Sequence, residues 1–255
     1  MTITYETERV VAIITINRTE RRNAVDMPTA QALYDAFKTF DADDGLSVAV
    51  FTGAGGAFCA GADLQAIAGG QRNTVVEDGD LAPMGPSRLR LSKPVIAAVE
   101  GPAVAGGLEL ALWADMRVAG QSAIFGVYCR RFGVPLIDLG TIRLPRLIGQ
   151  SRASDMILTG RAVNAEEALG FGLVNRVVPD GKALETAKEI AQQIAAFPQL
   201  CMRNDRQSMF EQWDLTEEEA IRNEIRRGLQ TIGSGETFDG ATAFTGRKGR
   251  HGSFE

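Results

Sequence analysis

The sequence predicts an α/β fold that passes into an all-helical C-terminal region. Three observations carry this. Up to about residue 180, short β-branched or apolar runs alternate with segments of helical spacing. From Ala183 onward only helical patterns occur. The chain has 255 residues, 45% hydrophobic and 23% charged, enough for one large core with an appendage. We place the boundary so that 1–195 form the core and 196–255 the helical region.

Taken in order, Val10 to Asn17 (VVAIITIN) reads as a buried strand. Asp26 before Met27-Pro28 reads as an N-cap with proline in the first turn, opening a helix to Phe40 with Leu33, Phe37 and Phe40 on one face. Val48 to Thr52 is the next strand. The stretch GAGGAFCAGADL (Gly53 to Leu64) looks like a phosphate loop, but no Lys-Ser/Thr follows and GxGxxG does not match. Its small residues fit either a tight turn or close backbone approach to a ligand. Gln71 to Met84 is polar and broken by Gly79 and Pro83, so we expect a mobile surface loop. Ser87 to Leu91 reads as a short helix and Val95 to Val99 as a strand.

After the strand come Gly101-Pro102, Gly106-Gly107 and a helical run, Leu108 to Trp113, with Glu109 in its first turn. A helix start offers unpaired N–H groups and partial positive charge. Glycines let a ligand come close to the main chain. With a carboxylate one turn away, these are the parts needed to enolise a carbonyl compound. The same residues also suit a packed strand–turn–helix. Met116 to Ala119 is a further strand, and 130–138 a Gly/Pro-broken loop in which Asp138 is either an N-cap or a site carboxylate. Helices are expected over Ser151–Thr159, with Ser151 as cap, and Asn164–Leu169; a strand over Leu173–Val178. In the last part, helices are expected over Ala183–Ala196, Gln199–Trp213, Thr216–Ile232 and Phe238–Phe244, with a capping box at Thr216-Glu217-Glu218-Glu219.

Several classes are disfavoured. Net charge is −5 and the pI about 5.2, which argues against nucleic acid as the main partner. No apolar run reaches 18 residues, and no cleavable signal pattern opens the chain, so a cytoplasmic protein without membrane association is expected. Cys59, Cys129 and Cys201 are widely spaced, as reduced thiols are, and no Cys/His metal spacing exists. The single histidine, His251, is next to the C-terminus, so acid–base chemistry must come from other groups.

NRTERRNAV (Asn17 to Val25), GAGGAFCAGADL, GPAVAGGLELALWADMR and RLPRLIG…ILTGRAVNAEEALGFGLVNRVV follow one another in this order. Together they resemble the crotonase family, the enoyl-CoA hydratase/isomerases, over nearly the whole chain. The resemblance implies a spiral of ββα units followed by helices that trimerise, giving a trimer or dimer of trimers. It implies an acyl-CoA thioester substrate and no cofactor, coenzyme A being part of the substrate. Two backbone amides, of Ala62 and Gly106, would form the oxyanion hole. Arg22, Ala24, Ala60, Asp63 and Leu64 would contact the CoA moiety, and Phe244 and Lys248 would do so from a neighbouring subunit.

Hydratases of this family use two glutamates around one water. The first, which adds the water oxygen at C3, matches Glu109. The second, which manages the proton at C2, falls on Cys129, and a thiol with a pKa of about 8.5 replaces a carboxylate poorly. We therefore take Glu109 as the principal acid/base and Asp138 as the candidate second group. Arg130 and Arg131 are either local pKa modifiers or a solvated pair. Hydration of a 2-enoyl-CoA is the first expectation. Double-bond isomerisation, thioester or C–C hydrolysis, and acyl-CoA binding without turnover are the alternatives.

Overall fold

The structure is a computed structural model and describes residues 1–246 and 249. It forms two compact units, Met1–Gln192 and the residues from Gln193 onward.

In the first unit a mainly parallel sheet runs β1-β2-β3-β4-β6-β9. Its strands are β1 (Ile3–Glu8), β2 (Val11–Ile16), β3 (Val48–Gly53), β4 (Val95–Val99), β6 (Met116–Gly120) and β9 (Arg176–Val178). Within this sheet β1 and β2 pair antiparallel, from Ile3 opposite Ile16 to Glu8 opposite Val11. β3 and β4 are continuous apolar runs because parallel strands are covered on both faces. A small sheet is built from β5 (Pro102–Val104), β7 (Ile124–Gly126) and β8 (Val163–Asn164). The chain alternates between the two. β4 is in the large sheet and β5 in the small one; after a helix, β6 and β7 repeat the sequence. That alternation is the ββα spiral.

Helix α1 (Met27–Ala42) starts at Asp26, whose Oδ1 accepts from the Thr29 amide at 3.0 Å. It buries Leu33, Phe37 and Phe40 as its spacing requires. Phe37 meets Phe51 and Trp113 edge-on, with centroids 5.3 and 4.6 Å apart. α2 (Leu64–Ala68) is one short turn capped by Asp63. α3 (Gly106–Trp113) is buried from Gly106 through Leu112, so it runs inside the unit. It packs tightly there: a Cβ on Gly107 would come within 2.0 Å of the Cys59 carbonyl oxygen.

Several expectations need correction. The acidic start of the chain forms β1, paired with β2 where no strand was expected. Residues 140–148, for which no element was expected, form helix α4 (Gly140–Ile148). Burial of Leu144 and Ile148 outweighs the donor lost at Pro145. α5 (Gln150–Thr159) follows after Gly149, so Ser151 is inside the helix and is not its cap. The residues after Gly85 make a 3-10 turn, Pro86–Arg88, shorter than the expected helix. Asp138 caps nothing, because Leu139 occupies the residue before α4. α6 (Ala165–Phe171) is capped by Asn164.

Helix α7 (Ala183–Ala195) leads into the second unit, which contains α8 (Gln199–Glu211), α9 (Glu217–Gly233) and α10 (Glu236–Thr245). The Thr216 capping box forms as the sequence indicates. Asn204 on α8 donates to the Thr231 hydroxyl on α9 at 3.0 Å.

Gly107→Ala is expected to lower stability by about 1–3 kcal/mol, because the added methyl meets backbone that cannot rotate away. Gly170→Ala, in α6 with nothing within 4 Å of the new Cβ, is expected to raise it by about 0.5–1 kcal/mol. Urea denaturation of both variants checks the pair.

Candidate active site

One cleft of about 590 Å³ in the first unit gathers the end of the GAGGAFCAGADL stretch, the start of α3 and the loop before α4. The first two are held edge to edge. Cys59 donates its amide to the Pro102 carbonyl at 3.0 Å, and Val104 returns a bond to Cys59 at 3.1 Å. Gly61 stands at the crossing with φ +95°. A Cβ there would lie 2.9 Å from Ala105 Cβ and 3.0 Å from the Gly106 nitrogen. Ala105 itself has φ 55° and ψ −125°, a conformation that L side chains rarely adopt. It turns the chain so that α3 begins at the cleft. Both Ala62 and Gly106 line that cleft. Among the described residues no protein acceptor takes either of their amide hydrogens. Two unspent donors, one of them at a helix N-terminus, suit a developing negative oxygen.

Glu109, 2% exposed, extends from the first turn of α3 into the same cleft. Its Oε1 accepts from the amides of Asp138 at 2.9 Å and Gly140 at 2.8 Å. Gly140 must lack a side chain, since a Cβ would sit 2.7 Å from Oε1. Asp138 is also 2% exposed. Its Oδ1 accepts from the Met84 amide at 2.9 Å and from the Ser87 hydroxyl at 2.5 Å. Arg143 on α4 donates to the carbonyl oxygens of Ser87 at 2.8 Å and Asp138 at 3.5 Å.

Burial first, and then the negative charge of Asp138, push Glu109 up to about 8, against the pull of its two amide donors and Arg143. Burial also raises Asp138; the Ser87 hydroxyl, the Met84 amide, Arg88 and Arg143 hold that rise back. The negative charge of Asp138 is thus one of the two causes of the rise at Glu109. Two neighbouring carboxyls set apart in this way are suited to divide acid and base roles.

Comparison with known proteins agrees with this geometry. The enoyl-CoA hydratase/isomerase family model matches residues 6–251. The chain belongs to the enoyl-CoA hydratase/isomerase family. It is 37% identical to enoyl-CoA hydratase EchA19 of Mycobacterium tuberculosis, over 92% of this chain and 90% of that protein. It is 36% identical to a carnitinyl-CoA dehydratase of Salmonella arizonae, over 92% of each. The crystal structure of an enoyl-CoA hydratase from Mycobacterium tuberculosis superposes with a TM-score of 0.91 at 36% identity, covering 96% of each chain.

Within this family frame the expected site residues fall in different places. Ala60 and Leu64 line the cleft with Ala62, Gly106, Glu109 and Asp138. Arg22 and Ala24 are not in the cleft wall; the Arg22 carbonyl accepts from the Ala60 amide at 3.1 Å, which ties the first loop to it. The Asp63 side chain is spent on capping α2 and on Arg18 at 3.1 Å. Phe244 is exposed on α10 in the second unit. Lys248 lies outside the described residues.

Cys129 lines the cleft, and its thiol is raised by burial and by Glu109. Arg130 opposes that shift without overcoming it, while Arg131 stacks 4.0 Å over the Tyr128 ring. Sequence reasoning missed Met84, Ser87, Gly140 and Arg143, which hold the carboxylates. Their only sequence signal is the RLPR run, whose first arginine is Arg143. Among the described residues no group of three or more His, Cys, Asp or Glu is placed to hold a metal, and no helix is long and apolar enough to cross a membrane.

The raised Glu109 has a consequence for stability. Between about pH 4.5 and pH 8 the folded state binds a proton that the unfolded chain has released. Stability contributed by this group is therefore full at the acid end and is lost as pH rises through the folded value. A loss on the order of a few kcal/mol across that window is expected. Glu109→Gln, which keeps an oxygen for the two amides, should flatten the dependence. Urea midpoints at pH 5, 6.5 and 8 test both points.

Proposed function

We propose that the protein hydrates a 2-enoyl-CoA, with the thioester oxygen held by the Ala62 and Gly106 amides. The observation that carries this reading is the meeting, in one cleft, of those two free donors with the buried carboxyls of Glu109 and Asp138. In this reading the two roles are exchanged relative to those the resemblance implies: Asp138 takes a proton from the water that adds at C3. Negative charge gathers on the thioester oxygen, and Glu109 delivers its proton to C2. The proton on Asp138 then returns to Glu109. Ile67, Val75, Phe132 and Ile137 give the cleft apolar walls suited to an acyl group. No cofactor beyond the CoA of the substrate is needed.

Double-bond isomerisation is the second reading, and Cys129 favours it. The resemblance places a carboxylate there, and one base on Glu109 suffices to move a proton between C2 and C4. Thioester or C–C hydrolysis and binding without turnover give way to these two, because the acid and base are both in place.

The reading extends to a homo-oligomer, a trimer or a dimer of trimers. It is supported by α9, on which Ile221, Ile225, Leu229 and Ile232 are 58–61% exposed at helical spacing. Phe244 and Lys248 would meet the CoA of a neighbouring subunit. The free cysteines fit a reducing, cytoplasmic setting.

Loss of the conjugated enone absorbance of crotonyl-CoA is expected on mixing with the enzyme. Glu109→Gln should slow it about 10²–10⁴-fold, and Asp138→Asn should slow it too. Conversion of a 3-enoyl-CoA with no hydration would make the enzyme an isomerase. Light scattering after size exclusion is expected to report a multiple of three chains, and Ile225→Glu to reduce that mass.

A further inference from the structure

We propose that Ser87 is a positioning residue for the acid–base pair, acting through Asp138. This rests on the catalytic role proposed for Asp138. Ser87 is completely buried and is not part of the cleft wall. Its hydroxyl is 2.5 Å from Asp138 Oδ1. A hydroxyl bonded to a carboxylate over so short a distance is a charge-assisted bond, stronger than one between neutral groups. With the Met84 amide on the same oxygen, one half of the carboxyl is fixed. Arg143 then fixes the turn itself through the carbonyl oxygens of Ser87 and Asp138.

The charged groups around Asp138 come from three elements. Glu109 faces it from α3, Arg143 from α4, and Arg88 from the same 3-10 turn as Ser87. Arg88 is half-exposed and is also bonded to the Val76 carbonyl at 2.8 Å. The neutral hydroxyl of Ser87 is thus the side-chain donor that, beside the Met84 amide, directly contacts the buried carboxyl oxygen and stabilises its charged form. Met84 ends the 71–84 loop, part of which lines the cleft, and Ser87 follows it. The acid–base pair and the wall of the acyl site are therefore joined by a few bonds.

Kinetics with crotonyl-CoA test this, with a 3-enoyl-CoA as the substrate if the enzyme proves an isomerase. S87A is expected to lower kcat about ten- to a hundredfold, the worth of a hydrogen bond to a charged group, with little change in KM. The acid limb of its pH–rate profile should move up by about one unit, because the charged form of Asp138 has lost a donor. In a D138N background the same change should cost nothing further. S87C, which keeps the volume but donates weakly, should behave like S87A and serves if S87A does not fold. A ¹³C carboxyl titration of Asp138 reads the shift without turnover. An equal loss in both backgrounds, or an unmoved acid limb and titration, overturns the proposal. D138N at the wild-type rate overturns the role of Asp138 as well.

Discussion

Glu109 Oε1 is held by two backbone amides, those of Asp138 and Gly140, and the site depends on that pair of bonds. The carboxyl is almost completely out of water, where a charge is costly unless donors meet it. Both donors come from a single turn, which carries the second carboxyl on its own side chain. Leu139, between them, takes a left-handed φ of 68° that costs on the order of 1 kcal/mol. That strain aims two successive stretches of backbone at one oxygen. Moving the turn would therefore disturb both carboxyls at once.

The same arrangement gives the two carboxyls different surroundings. Each is buried, but their partners differ. Asp138 has a hydroxyl, an amide and two arginine charges on its side of the balance. Glu109 has two amides and Arg143 but faces the charge on Asp138. The charge on Asp138 adds to burial in raising Glu109, while Arg88 and Arg143 hold back the rise at Asp138. Cys129 takes no part in this division, since burial and Glu109 keep its thiol neutral.

Much of this was legible in the residues. The apolar runs at Val48 and Val95, the Asp26 and Thr216 caps and the C-terminal helices follow from local periodicity and capping chemistry, which need no tertiary contact. Glu109 stood out because a carboxylate in an otherwise apolar helix start must be explained. α4 was hidden, because Gly140 and Pro145 weaken a helix locally. Only burial of Leu144 and Ile148 restores it, and burial is not a property of the segment alone. β1 was hidden for a similar reason: only Ile3 of its six residues is buried, and its pairing with β2 holds it as a strand.

The sequence by itself determined the alternation of strands and helices, the family and the choice of Glu109 as candidate acid–base residue. These rest on residue order, spacing and local propensity. Tertiary structure alone decided that Asp138 is a partner of Glu109 and not a helix cap, and that Ser87, Met84 and Arg143 hold it. Those residues are 51, 54 and 5 positions away from Asp138. A hydrogen bond across such separations depends on where the folded backbone places its donors, and no local pattern encodes that.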